Sequence, residues 1–261
     1  MREEDIPKRI SKKVLHDLVK LEKEQRILRY HESEYSVFEE VFDKSTLMTL
    51  YDIMNANVFS YLNGVVASGK ESRVYCGVKD DNTSVAVKIY LVASSDFKHR
   101  LQYIAGDPRF GSIKKGMRNI VNLWARKEFK NLQTAHDAEV PVPQPIYVKS
   151  NILVMQFIGD DGVPAPTLNL CEVTQKHYRE VLKTVSQLYK AGLVHADLSA
   201  YNIFLHKKNL VLFDFGSAVD VSHPNTKQFL SRDISNINKF FSKNKVEVYG
   251  LDRAIKLVKK A

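Results

Sequence analysis

Two spacings of apolar residues divide the chain. Over residues 8–30, Ile10, Val14, Leu18, Leu21 and Leu28 recur at helical spacing among many charges. A second helix is predicted in DKSTLMTLYDIMNA, where Leu47, Leu50, Tyr51 and Met54 share a face and Asp43 or Ser45 can cap the first turn. Residues 1–60 therefore read as an N-terminal helical extension with nothing catalytic in it. After Gly64 the period shortens. RVYCGV (73–78), the turn-forming run KDDNT (79–83) and SVAVKIY (84–90) read as strand, turn, strand.

Beyond the strands lies a basic, glycine-punctuated stretch over 97–118, predicted as a loop. IVNLWARKEFKNLQTAHDA (120–138) is a helix pattern with Ile120, Leu123, Trp124 and Leu132 on one broad face. Three prolines force VPVPQPI (140–146) to be extended, and NILVMQFIG reads as a buried strand. GDDGVPAPT is a loop, and VTQKHYREVLKTVSQLYKAG a helix ending at Gly192. The segment from Leu193 to Gly216 reads as a loop, a short strand, a turn at HKKN and a second short strand ending in Asp214. Helical patterns near 224–243 and 250–260 follow, with no internal repeat or low-complexity linker.

The stretch GVVASGKE (64–71) nearly matches the phosphate loop G-x-x-x-x-G-K-[ST], but Glu71 stands where a metal-binding hydroxyl belongs. That motif also needs a helix after it, whose N-terminal amides hold phosphate, whereas β-branched and aromatic residues follow Glu71. GVVASGKE is therefore placed between strands, as a loop over 64–72 above Lys88. On its strand, Lys88 projects to the same face as Ala86 and Tyr90.

Three elements in order carry chemistry. Lys88 in V-A-V-K is followed by H-A-D-L-S-A-Y-N, with His195, Asp197 and Asn202, and then by D-F-G at 214–216. The spacing matches the kinase pattern, in which Asp197 would orient the attacking hydroxyl while Asn202 and Asp214 hold magnesium. Each element alone would be unremarkable as a solvated lysine or an ordinary turn; their order points to a phosphoryl-transfer site. Glu128 in W-A-R-K-E-F is the candidate partner of Lys88. Met155 would stand at the gate of the nucleotide pocket, with Gln156 and Ile158 offering backbone hydrogen bonds to adenine. His195 reads as a packing residue.

Departures from the pattern matter equally. Aligned on Val74, the glycine positions of G-x-G-x-x-G-x-V are Ala67, Gly69 and Ser72, so Ser68, Lys70 and Ser72 would donate directly to phosphate oxygens. Ala196 replaces the arginine of H-R-D, which removes the usual partner of a phosphorylated activation loop. Only 45 residues follow Gly216, too few for the full apparatus that docks peptide substrates.

Composition narrows the setting. The apolar share of 44% and charged share of 26% are those of an ordinary globular protein, and no run approaches the roughly 18 apolar residues of a membrane span. The charged N-terminus lacks the apolar core of a secretory signal. Cys76 and Cys171 have no metal-ligand or C-x-x-C spacing, which suits buried thiols in a reducing, cytoplasmic setting. Net charge is +9, and residues 98–130 hold nine Lys/Arg against Asp107 and Glu128. That segment is either a polyanion contact or a solvated face.

S-G-K-E-S (68–72), V-P-V-P-Q-P (140–145), M-Q-F-I-G (155–159), P-A-P-T-L (164–168), L-V-H-A-D-L-S-A-Y-N-I (193–203) and S-R-D-I-S-N-I (231–237) together resemble the RIO family of atypical protein kinases. The catalytic-loop wording and short extension are similar to the first subfamily; residues 1–60 are too few for the winged-helix domain of the second. D-F-G with Ser217 departs from the D-x-G-Q form commoner in the first subfamily. The resemblance implies an α+β, bilobal kinase-like fold with a truncated C-lobe, divided as 1–60, 61–158 and 159–261. It implies ATP and Mg2+ (or Mn2+) as cofactors, autophosphorylation on serine, and a role in maturing the small ribosomal subunit. Its partners would be ATP and a pre-small-subunit particle or rRNA, with no membrane and a monomer or weak oligomer. Two activities stay open: a serine autokinase or protein kinase, and an ATPase switch in which Asp214 accepts the phosphoryl group. A catalytically silent scaffold is a third class, disfavoured by the intact lysine and metal set.

Overall fold

The computed structural model describes residues 42–92, 103–104, 107, 109 and 116–260. The helix expected over 8–30 and most of the basic stretch 97–118 lie outside them. Five strands form one antiparallel sheet: β1 (Tyr61–Ser68), β2 (Ser72–Val78), β3 (Ser84–Tyr90), β4 (Pro145–Lys149) and β5 (Ile152–Gln156), in the order β1-β2-β3-β5-β4. Both faces are covered, and the alternation along β3 shows how. Val85, Val87 and Ile89 face one cluster with Leu50, Ile53 and Met54 of helix α1 (Lys44–Asn55). Ala86 and Tyr90 face the other, against Val121, Trp124, Ala125 and Leu132 of helix α2 (Met117–Asp137). Lys88 shares that second face, which sets it toward α2.

Of the two cap candidates for α1, Asp43 serves: the Thr46 N–H donates to its carboxylate at 3.1 Å. The helix lies on the back of the sheet, so the described part of the extension shares a hydrophobic core with the strands.

Several boundaries differ from the sequence reading, each for a local reason. GVVAS is the second half of β1, and only Gly69–Glu71 turn between strands. Gly64 has φ +77°, and the β1–β2 register slips between Leu62 and Val65, so the glycine marks a bulge where its freedom is used. Helix α2 begins at Met117, three residues early, behind Gly116 at φ +112°. Cys76 is buried as expected, but Cys171 is only half-buried.

The second lobe is built on helices α3 (Gln175–Lys190), α4 (Thr226–Lys243) and α5 (Leu251–Lys260). Thr174 caps α3 in a reciprocal box with His177, which starts the helix two residues after Val173. Tyr178, Val181, Leu182 and Val185 of α3 pack with Ile234, Ile237 and Phe241 of α4 and Val258 of α5. The expected loop GDDGVPAPT contains a small hairpin, β6 (Gly159–Asp160) with β7 (Val163–Pro164). The remaining strands are β8 (Leu193–Val194), β9 (Ile203–His206), β10 (Asn209–Leu212) and β11 (Val219–Asp220). β9 and β10 form a hairpin whose two turn residues, Lys207 and Lys208, have φ of +49° and +71°, the mirror-image turn that suits strand twist. β10 stops at Leu212, two residues short of the predicted end, because Asp214 leaves the extended region at φ +63°. No helix among the described residues is long and apolar enough to cross a membrane.

Candidate active site

The sheet, α2 and the β9–β10 hairpin converge on one ammonium group. Lys88 Nζ lies 2.9 Å from both carboxylate oxygens of Glu128 and 2.8 Å from Asp214 Oδ1. The Tyr90 hydroxyl, two residues along the same strand face, also donates to Glu128. Lys88 is 7% exposed and Glu128 fully buried, so these bonds form where water screens little. Burial works to lower the Lys88 pKa, but the carboxylates of Asp214 and Glu128 outweigh it and hold the group charged, above the usual lysine range. Burial also pushes the Glu128 carboxyl up, to about 7, against the pull of Lys88.

Asp197 stands exposed three residues before a short 3-10 turn (Ala200–Asn202), and Asn202 Nδ2 donates to the Asp197 carbonyl at 2.9 Å. The loop is shaped from below by Asp233 of α4. Its two carboxylate oxygens accept the N–H groups of Ala196 and Leu198 at 2.8 and 2.9 Å, bracketing Asp197. Ala196 has φ +63°, a costly conformation that those bonds hold, together with one from Arg232 to the Ala196 carbonyl. Burial pushes the Asp233 carboxyl up to about 6, opposed by His195 and the two N–H bonds. His195 is buried, meets the Phe213 carbonyl at 3.0 Å, and packs on Phe215 with ring centres 4.8 Å apart.

The D-F-G segment is tied to α2. Lys127 Nζ donates to the carbonyls of Gly216, at 2.9 Å, and Ala218. Asn131 Nδ2 donates to those of Phe215 and Ala218 at 2.8 and 2.9 Å. Trp124 covers Gly216 so closely that a Cβ there would sit 2.6 Å from the indole nitrogen.

The turn Gly69–Glu71, expected to cover phosphate, lies at the same end of the sheet. Val74 is opposite Lys88, and Ser72 is opposite Tyr90, so the turn begins just beyond the lysine. Ser68, Gly69 and Lys70 are exposed, Ser72 is half-buried, and the Gly69 N–H donates to the Ser72 carbonyl at 2.9 Å. Met155 is buried behind the lobe junction. The Gln156 N–H donates to the Gln144 carbonyl at 2.8 Å, and the Ile158 carbonyl accepts from the Ala165 N–H at 2.9 Å. Phe204 stacks on Phe213 at 3.9 Å beneath this junction.

Comparison with known proteins gives the family. The model of the RIO domain matches residues 73–254. The chain belongs to the RIO family. It is 39% identical to the RIO-type serine/threonine-protein kinase Rio1 of Haloferax volcanii, over 83% of this chain and 76% of that protein. To Rio1 of Methanocaldococcus jannaschii it is 38% identical, over 87% and 77%. The human serine/threonine-protein kinase RIO1 is 36% identical over 83% of this chain, which spans 39% of that protein's length. The Rio2 kinase of Chaetomium thermophilum, in an ADP/Mg2+-phosphoaspartate complex, shares the fold with a TM-score of 0.66 at 20% identity. That superposition covers 95% of this chain and 76% of the other.

Within the RIO domain of this chain, the structure brings Lys88, Glu128 and Asp214 into contact and places Asp197 and Asn202 on one loop. Sequence reasoning missed Tyr90, Lys127, Asn131 and Asp233 as parts of the site. A signal for two of them existed: Lys127 and Asn131 fall on the stripe of α2 that also carries Trp124, where apolar residues belong. Asp233 lay inside a quoted motif without an assigned role.

Proposed function

We propose that this chain is an ATP- and Mg2+-dependent serine/threonine kinase that phosphorylates itself and acts in maturation of the small ribosomal subunit. The observation that carries the reading is Lys88 held between Glu128 and Asp214. This pairing orders a lysine for the α- and β-phosphates of a nucleotide and sets a carboxylate beside it. Asn202 and Asp214 supply hard oxygen donors that fit magnesium. Among the described residues no cluster of three or more His, Cys, Asp or Glu could hold a metal. Two protein donors plus phosphate oxygens is the habit of magnesium. When bound, the ion neutralises charge on the phosphates during transfer.

The residues then divide the work. Ser68, Lys70 and Ser72, with the Gly69 backbone, cover the phosphates, while Met155, Gln156 and Ile158 receive the base. Asp197 orients the serine hydroxyl and takes its proton as the oxygen bonds to the γ-phosphorus and the bond to the departing ADP breaks. Asp233 keeps Asp197 presented by holding the backbone on both sides of it.

A second reading is favoured by the phosphoaspartate of the Rio2 structure. There Asp214 itself takes the phosphoryl group and its hydrolysis times a release step. A single-turnover reaction with γ-labelled ATP separates the two. Acid-stable phosphoserine supports the kinase, and a hydroxylamine-labile acyl phosphate supports the switch. Neither product would refute both. The ribosomal role is tested by cosedimentation with pre-small-subunit particles and release by ATP; absence from those particles would refute it.

A further inference from the structure

Helix α2 contributes more to the site than Glu128. Lys127 and Asn131 lie one turn apart, both fully buried, and between them donate to the carbonyls of Phe215, Gly216 and Ala218. Those carbonyls belong to the loop that follows Asp214, whose backbone is held at φ +63°. The Ala218 N–H reaches the Phe215 carbonyl at 3.2 Å, and the α2 side chains supply further donors to this loop, where buried carbonyls without donors would be costly.

Simple packing does not account for the residue types. A fully buried ammonium is an expensive donor, and a neutral amide could serve one carbonyl at far lower desolvation cost. Burial works to raise the Asp107 carboxyl, but Arg109 and, after it, the Lys127 charge outweigh that and hold it below the usual range. Asn131 uses only its donor end, because its Oδ1 is buried without a partner among the described residues. Trp124, one turn earlier, closes over Gly216. Four buried positions of the helix thus meet the lysine or the metal loop: Trp124, Lys127, Glu128 and Asn131.

We propose that Lys127 and Asn131 are positioning residues that clamp the loop Asp214–Ala218 to α2 and so set the metal affinity of Asp214. The inference rests on the assignment of Asp214 as a magnesium ligand. Because Glu128 is adjacent to Lys127, one rigid helix fixes both the lysine and the metal loop, and their spacing is preserved when the helix moves. Lys127→Met removes both of the lysine's bonds without shortening the chain much; Asn131→Ala removes the other two.

The test is calorimetric titration of full-length protein with ADP, first without metal and then at increasing Mg2+. Wild type binds ADP more tightly as Mg2+ is added. In Lys127→Met the Mg2+ midpoint rises at least tenfold while metal-free ADP affinity changes less than about threefold. Asn131→Ala shifts the midpoint in the same direction, and Lys127→Gln, which keeps one donor, falls between. Thermal melts run beside each titration confirm the folded fraction. An unchanged Mg2+ midpoint in folded Lys127→Met or Asn131→Ala overturns the clamp, as does an equal loss of metal-free affinity. If wild type shows no Mg2+ dependence at all, the metal assignment of Asp214 itself fails, and the clamp with it.

Discussion

Replacing Gly216 with alanine isolates one contact. The added Cβ would meet Trp124 at 2.6 Å from Nε1, 3.0 Å from Cε2 and 3.2 Å from Cζ2, all closer than real Cβ contacts allow. Trp124 is 1% exposed and packed on Tyr103, so the indole has little room to retreat. Gly216 is not among the residues with positive φ, so alanine's own backbone preference adds nothing. Overpacking of this kind costs about 1–3 kcal/mol. For a domain of this size that lowers the melting temperature by roughly 2–12 °C. The assay is thermal or urea denaturation of Gly216→Ala, Trp124→Phe and the double variant. Phenylalanine lacks the fused six-membered ring, Cζ2 included, so its smaller ring has room to shift away from the added methyl. The double variant should therefore recover about 0.5–3 kcal/mol relative to the sum of the singles. Strict additivity would refute the contact, and a Gly216→Ala protein as stable as wild type would refute the close packing.

Asp197→Ala should abolish phosphoryl transfer and leave ATP binding nearly intact; unchanged turnover removes Asp197 from the chemistry. Asp214→Ala should weaken nucleotide binding only when Mg2+ is present, and a titration equal to wild type contradicts its metal role. Asp43→Ala deletes the α1 cap and the 3.0 Å pair with Arg118, costing about 1 kcal/mol in urea unfolding. Burial opposes ionisation of Asp43, but Arg118 and the Thr46 N–H prevail and hold its pKa below the ordinary 3.8. A depressed carboxyl stabilises the fold above that value, so its contribution disappears as pH falls below 3.8. Asp43→Asn should therefore flatten the acid limb of the stability profile, and an identical limb would refute the assignment.

The parts of the candidate site were legible because the kinase pattern fixes both residue type and spacing. D-x-x-x-x-N and D-F-G could be read without knowing what packs beneath them, and the alternation of S-V-A-V-K-I-Y gave the facing of Lys88. The β1 strand was missed for a physical reason: Gly64 and Gly69 weaken strand character, and Tyr61–Ser68 alternates poorly because the bulge resets its register. Asp233 was invisible as a site residue because its partners are backbone N–H groups 37 and 35 residues away. Backbone groups leave no trace in side-chain patterns. The left-handed Ala196 is held by that same carboxylate.

Helix α2 ties these levels together. A helix against a sheet is stable when its inward stripe is apolar, yet three of the buried residues of α2 are Lys127, Glu128 and Asn131. Each makes hydrogen bonds that leave the helix: Glu128 accepts from Lys88, while Lys127 and Asn131 donate to the D-F-G segment. Packing of α2 in its observed place is thus favourable only while the second lobe supplies those carbonyls. Withdrawing the segment would strand an ammonium and an amide donor in a dry interior, at a cost comparable to the stability of a small domain. The apolar contacts of Val121, Trp124 and Leu132 hold the helix to the sheet, and the polar ones tie its position to the D-F-G segment. Fold stability and the geometry of the reacting groups are therefore coupled through the same three side chains.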